Sequence, residues 1–122
     1  MTWSYSQSTG ELRQAGRVVA RGYSGAGKTK EAGRNNPVME AVVATGPIPR
    51  GLWRIGPAYK NANLGPICMN LDPVGHDAHG RTLFRIHGNN RVDDASHGCI
   101  ILGPTIRTMI AQSADKMLEV TE

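Results

Sequence analysis

The sequence predicts a mainly β fold of the α+β kind with one helix in its C-terminal half, and three observations carry that prediction. Fifteen glycines and seven prolines among 122 residues cut the chain into short segments, which suits strands and turns more than long helices. Several segments are β-branched or alternate apolar with polar side chains, as half-buried strands do. Only the stretch after Gly103-Pro104 combines a proline suited to a first helical position with apolar residues near helical spacing.

In chain order, Trp3 and Tyr5 alternate with polar neighbours, Ser8-Thr9-Gly10 supplies a turn, and Glu11 to Gln14 continues extended, which predicts an opening hairpin. Ala15-Gly16 turns the chain into Arg17 to Arg21, where the Val18-Val19 pair favours a strand. Gly22 to Pro37 is rich in glycine and asparagine and is expected to be a long surface loop. Gly46 to Gly51 reads as a rigid turn, followed by a strand from Leu52 to Ile55 that ends at Gly56-Pro57. Ile67 to Leu71 is a further short strand, and Thr82 to Ile86 is a strand running into His87-Gly88. Asn89 to Ala95 is polar and connects, after which Cys99 to Leu102 is apolar enough to be buried. The helix begins at Pro104 and carries Ile106, Met109, Ile110 and Met117; its end near Ser113 to Asp115 is open, since Met117 to Val120 also reads as a final strand.

The length suits a single domain over residues 1–122. Fourteen basic against ten acidic residues give a net charge of +4, a weak pull towards anionic surfaces. The basic residues are scattered and carry no aromatic interleaving, so no nucleic-acid partner is expected. No apolar run approaches the ~20 residues of a membrane helix, so no membrane insertion is expected either. The opening residues lack the regions of a signal peptide, which points to synthesis in the cytoplasm. No internal repeat is visible.

Chemistry concentrates between His87 and Cys99, where two histidines, a cysteine and flanking glycines fall at the junction of a strand and a loop. A thiol attacks carbonyls well once a neighbouring imidazole draws off its proton, and His87 and His97 are the available partners. His97 lies two residues from Cys99 with Gly98 between, whereas His87 must come from another segment. Gly98 permits a backbone shape closed to other residues, and amides beside it can bind an oxyanion. The reading is a cysteine-nucleophile acyl-transfer site with Cys99 and His87 as catalytic residues and Gly98, His97, Ser96 and Gly88 supporting them.

Ser96-His97-Gly98-Cys99, preceded by His87-Gly88, resembles the signature of YkuD-type L,D-transpeptidases. Pro49-Arg50-Gly51-Leu52-Trp53-Arg54-Ile55 is similar to the Pro-x-Gly-x-aromatic-x-Ile strand upstream in that family. The opening Met-Thr-Trp-Ser-Tyr-Ser, Gly22-Tyr23-Ser24-Gly25, Arg34-Asn35-Asn36-Pro37 and Ala95-Ser96-x-Gly98-Cys99-Ile100-Ile101-Leu102 more closely resemble the L,D-transpeptidase-related effectors exported by bacterial type VI secretion. The gap from His87 to Ser96 is shorter than in the wider family, and Ile101 stands where that family often has an arginine.

This resemblance implies a compact L,D-transpeptidase-like β-sandwich and peptidoglycan stem peptides as substrate. It also implies a cognate immunity protein and a secretion-apparatus component as partners, and action in a target cell's periplasm. Cys99 would attack the carbonyl at the L-centre of the third-position diamino acid and expel the terminal D-alanine. His87, held by a main-chain carbonyl near Gly88, would activate the thiol and protonate the leaving amine, while the Gly98 and Cys99 amides bind the oxyanion. Water as acceptor gives a carboxypeptidase; a D-amino acid or second stem gives exchange or cross-linking.

Other motifs compete. Gly22 to Thr29 matches the phosphate-loop pattern G-x4-G-K-[ST], yet Gly33 and Asn35-Asn36-Pro37 break the chain where that motif needs a helix. His76-x-x-His79 with Cys68 and Cys99 has ligand-like spacing, but loop histidines beside Asp72, Asp77 and Gly80 explain the same residues, so no metal and no cofactor is expected. Cys68 reads as a buried strand residue, although a disulfide to Cys99 would silence the nucleophile. Asp93 and Asp94 read as loop charges, with orientation of His87 as the alternative. A non-catalytic peptidoglycan-binding or adaptor module is the rival function.

Overall fold

The computed structural model describes residues 2–122. Its elements are β1 (Trp3–Ser6), β2 (Glu11–Gln14), β3 (Arg17–Arg21), β4 (Tyr23–Ser24), β5 (Gly51–Asn61), β6 (Gly65–Val74), β7 (Phe84–His87), β8 (Ile100–Ile101), α1 (Pro104–Gln112) and β9 (Met117–Thr121). Short 3-10 turns lie at Lys30–Ala32, Pro37–Met39 and Ala78–Gly80. The fold is mainly β with its α-helix in the C-terminal half.

All the strands belong to one mixed sheet in the order β3-β2-β1-β9-β5-β6-β7-β8-β4. The two end strands of that order are neighbours in the chain, joined by Gly22 alone. A sheet whose opposite edges are tied by one residue must curl over, and it does so around a shared core. Trp3 and Tyr5 from β1, Trp53 and Ile55 from β5, Met69 and Leu71 from β6, and Ile86 and Ile100 from β7 and β8 belong to a single cluster. Each such large side chain taken fully from water contributes roughly 1.5–3 kcal/mol. At the joint, the Gly22 amide donates to Gly10 O at 2.8 Å. A Cβ on Gly22 would lie 1.7 Å from Ile101 O, so the seam closes only on a glycine.

Several boundaries differ from the sequence reading, each for a local reason. The stretch from Gly22 to Pro37 is not all loop, because Tyr23–Ser24 pairs with β8 and is buried. β5 does not end at Gly56-Pro57: a register shift between Ile55 and Ala58 absorbs the pair as a bulge and the strand runs on to Asn61. β6 spans Gly65–Val74, longer than the expected segment. β7 starts at Phe84 because Leu83 has φ 65°, outside strand geometry. α1 begins at Pro104 as expected and turns Ile106 and Ile110 inward, but Met109 is 49% exposed and Met117 opens β9.

Candidate active site

β7 and β8 run parallel, with Ile86 opposite Ile100 and His87 opposite Ile101. Cys99 occupies the bend just before β8. The histidine and the cysteine therefore stand on neighbouring parallel segments two residues apart in register, a diagonal separation that side chains can span. His87 and Cys99 make no hydrogen bond to each other among the described residues. The Cys99 Sγ instead lies 3.7 Å from Leu83 O. Catalytic hydrogen bonds are often long or misaligned before substrate arrives.

Burial acts on both groups in the direction of neutrality. It pulls the His87 imidazole below its ordinary value, with Gly88 O opposing and Arg107 and Arg85 adding to the fall. It pushes the Cys99 thiol up, against the Arg85 amide. Both shifts favour the uncharged forms, a neutral imidazole and a thiol. The His87 Nδ1 lies 2.9 Å from Gly88 O. A carbonyl only accepts, so Nδ1 carries the proton and Nε2 keeps its lone pair.

The loop before Cys99 is held by two serines. Ser96 Oγ accepts from the Gly25 amide at 2.9 Å and the Gly98 amide at 3.0 Å, and donates to Cys99 O at 2.6 Å. Ser24 Oγ donates to Gly98 O at 2.8 Å and accepts from the Ile48 amide at 2.8 Å. The Gly98 amide, expected as an oxyanion donor, is therefore engaged by Ser96; Gly98 serves instead through its φ of 140° and its missing side chain.

A buried arginine stands behind each flanking glycine. Arg81 donates through Nη1 to Glu40 O and Pro47 O and through Nη2 to Gly46 O and His97 O. A Cβ on Gly98 would lie 2.6 Å from its Nη2. Arg107 donates through Nε to Leu102 O and Gly103 O and through Nη1 to Pro66 O and Ile67 O. A Cβ on Gly88 would lie 2.8 Å from its Nη2. The glycines beside Cys99 and His87 thus make room for guanidinium groups that tie main-chain carbonyls together.

The structure disperses the remaining sequence candidates. His97 is exposed and lines, with Cys99, a groove of about 340 Å³. Asp93 pairs with Arg34 at 3.1 Å and accepts from Asn89 at 2.7 Å, while Asp94 accepts from Asn90, so both belong to the loop. Cys68 is free and fully buried. The β6–β7 register carried one residue further sets it opposite His87. One whole strand then separates Cys68 from Cys99, ~10 Å at ordinary strand spacing, too far for a disulfide.

His76 Nε2 lies 2.9 Å from Leu52 O and its Nδ1 accepts from the Ala78 amide, while His79 sits 3.5 Å from Glu40. Among the described residues no three His, Cys, Asp or Glu side chains gather as a metal site. After Lys28-Thr29 comes only the 3-10 turn Lys30–Ala32, not the helix a phosphate loop needs. Sequence reasoning missed Ser24, Arg81 and Arg107. Ser24 lay inside a recognised motif, but the arginines carried no local signal.

A family model described as the Tlde1 domain matches residues 19–121. No curated protein matches the chain.

Proposed function

The chain belongs to the Tlde1 domain family, type VI secretion effectors with L,D-transpeptidase-like activity, and on that footing we propose that residues 1–122 form one cysteine-nucleophile domain that removes or exchanges the terminal D-alanine of peptidoglycan tetrapeptides. The observation that carries this reading is the pairing of β7 with β8, which sets His87 beside the Cys99 segment with its Nε2 free. Cys99 attacks the carbonyl at the L-centre of the diamino acid while His87 takes the thiol proton and returns it to the departing amine. The acyl-enzyme then passes to water or to a D-amino acid. With the Gly98 amide held by Ser96, the Cys99 amide is the loop's oxyanion donor. The enzyme acts in the periplasm of a target cell after delivery by the secretion apparatus, and a cognate immunity protein guards the producer.

Purified muropeptide tetrapeptides, incubated with and without added D-amino acid and resolved by mass, test the reading. Loss or replacement of one D-alanine is expected with the wild type, and Cys99→Ala and His87→Ala are each expected to reduce turnover by at least ~100-fold. Unchanged muropeptides with a reduced, folded wild type would bring forward the peptidoglycan-binding module.

A further inference from the structure

Arg81 and Arg107 both hold main-chain carbonyls, but only Arg81 does so with both terminal nitrogens. Arg107 uses Nε and Nη1, and its Nη2 makes no hydrogen bond among the described residues. The residue is only 7% exposed, and no carboxylate is paired with it. A buried guanidinium with one donor edge unused and no counter-charge is an anion receptor in waiting.

That edge borders a cavity of about 810 Å³, more than twice the volume of the groove beside Cys99. This is within the usual size of a ligand site. Its walls include Gly88, the residue after His87, together with Asn89, Ile101 and Leu102. Arg21 and Arg34 also line it, but each is already matched, Arg21 to Glu11 at 2.8 Å and Arg34 to Asp93 at 3.1 Å. Arg34 is further fixed by stacking 3.6 Å from the Tyr23 ring centre. Arg107 is left as the cation of this cavity without an anionic partner.

We infer that the Arg107 cavity is the subsite for the free carboxylate of the leaving amino acid. The inference rests on the acyl-transfer reading above and names what that site selects. The general acid must stand beside the leaving amine, and in an amino acid the α-carboxylate is attached one carbon from that amine. With His87 serving the amine, the carboxylate falls on the Gly88 side, where Nη2 stands 2.8 Å from the place a Cβ would occupy. Glycine at position 88 keeps that approach open. The subsite makes the enzyme an exopeptidase: a stem ending in a free carboxylate fits, and one that is amidated or extended loses the charge-assisted bond.

The test uses Cys99→Ala protein, which binds without turnover, and two probes of equal size, N-acetyl-L-lysyl-D-alanine and its C-terminal amide. Titration followed by amide NMR is expected to show the acid binding at least ~10-fold more tightly, the usual weight of a hydrogen bond to a charged group. The shifts are expected at Gly88 and Asn89, and Arg107→Met is expected to bring acid and amide within ~2-fold. If that variant does not fold, the acid-amide comparison and the shift map with Arg107 intact still decide. Equal binding of acid and amide, shifts confined to the Cys99 groove, or tighter binding of inorganic phosphate than of the acid would each overturn the subsite. Wild-type turnover of tetrapeptide with equal acid and amide binding removes this inference and leaves the acyl transfer standing. Acid-selective binding without any turnover removes the acyl transfer and the leaving-group assignment with it, and leaves Arg107 as a carboxylate-binding site.

Discussion

The cysteine end and the histidine end of the site are built alike and finished differently. At each, a glycine stands against a buried guanidinium that gathers carbonyls from separate segments. Arg81 draws on residues 40, 46, 47 and 97, and Arg107 on 66, 67, 102 and 103. At the cysteine end every terminal nitrogen is consumed, and Gly98 is locked by Ser24 and Ser96 as well. At the histidine end one nitrogen is spare and faces a cavity. The first end is fully committed to main-chain carbonyls, and the second leaves one donor uncommitted on a residue that lines a cavity.

The largest effect that would sharpen this contrast is on stability. Arg81→Met leaves buried carbonyls without a donor and is expected to lower the unfolding free energy by about 4 kcal/mol. Arg107→Met is expected to cost about 2 kcal/mol, because Gly103 O keeps its bond from the Arg107 amide. Urea unfolding of both variants measures the difference; equal losses would erase the distinction.

A smaller effect is expected from adding one methyl group at each glycine. Gly98→Ala meets both a left-handed φ of 140° and the fully engaged Arg81, and should cost ~2–3 kcal/mol and slow alkylation of Cys99. Gly88→Ala meets only the uncommitted nitrogen of Arg107 and should cost ~1 kcal/mol or less. Thermal unfolding and iodoacetamide kinetics separate the two, and a more damaging Gly88→Ala would reverse the assignment of the fully committed end.

The smallest effect is in pH dependence. Beside Arg81, burial works to raise the Glu40 carboxyl, but hydrogen bonds from Arg50 and Gln7 outweigh it and hold the group at about 2. A carboxylate with a depressed folded value stabilises the fold above 4.5, and that stability is lost as pH falls towards 2. His87 is depressed mainly by burial. The unfolded chain therefore takes up its proton first, and stability falls as pH drops below 6.5 towards the lower folded value. Acid titration of circular dichroism should show both windows, with Glu40→Gln removing only the lower; a single window at 6.5 in the wild type would refute the Glu40 assignment.

How legible these features were depended on whether the signal was local. Trp3 and Tyr5 announce β1 by alternation, Pro104 announces the helix start, and His87 and Cys99 stand out by their company. β4 was hidden because two residues among glycines carry no period; β8 made it a strand. Gly56-Pro57 looked like a stop because a bulge is visible only once the partner strand is placed. Arg81 and Arg107 look like ordinary solvated charges until distant segments bring their carbonyls around them. Isolated cations acquire meaning from tertiary structure alone.

The one-residue seam at Gly22 ties the timing of folding to the setting of the loop before Cys99. Ser24 reaches Gly98 only when β4 has docked on β8, and those strands are more than seventy residues apart in sequence. Pairings between such distant segments form late because the intervening chain must first be closed into a loop. A nascent or threaded chain therefore carries Cys99 and His87 before the loop that precedes Cys99 is fixed by Ser24 and Ser96. Closure of the sheet is what sets that loop.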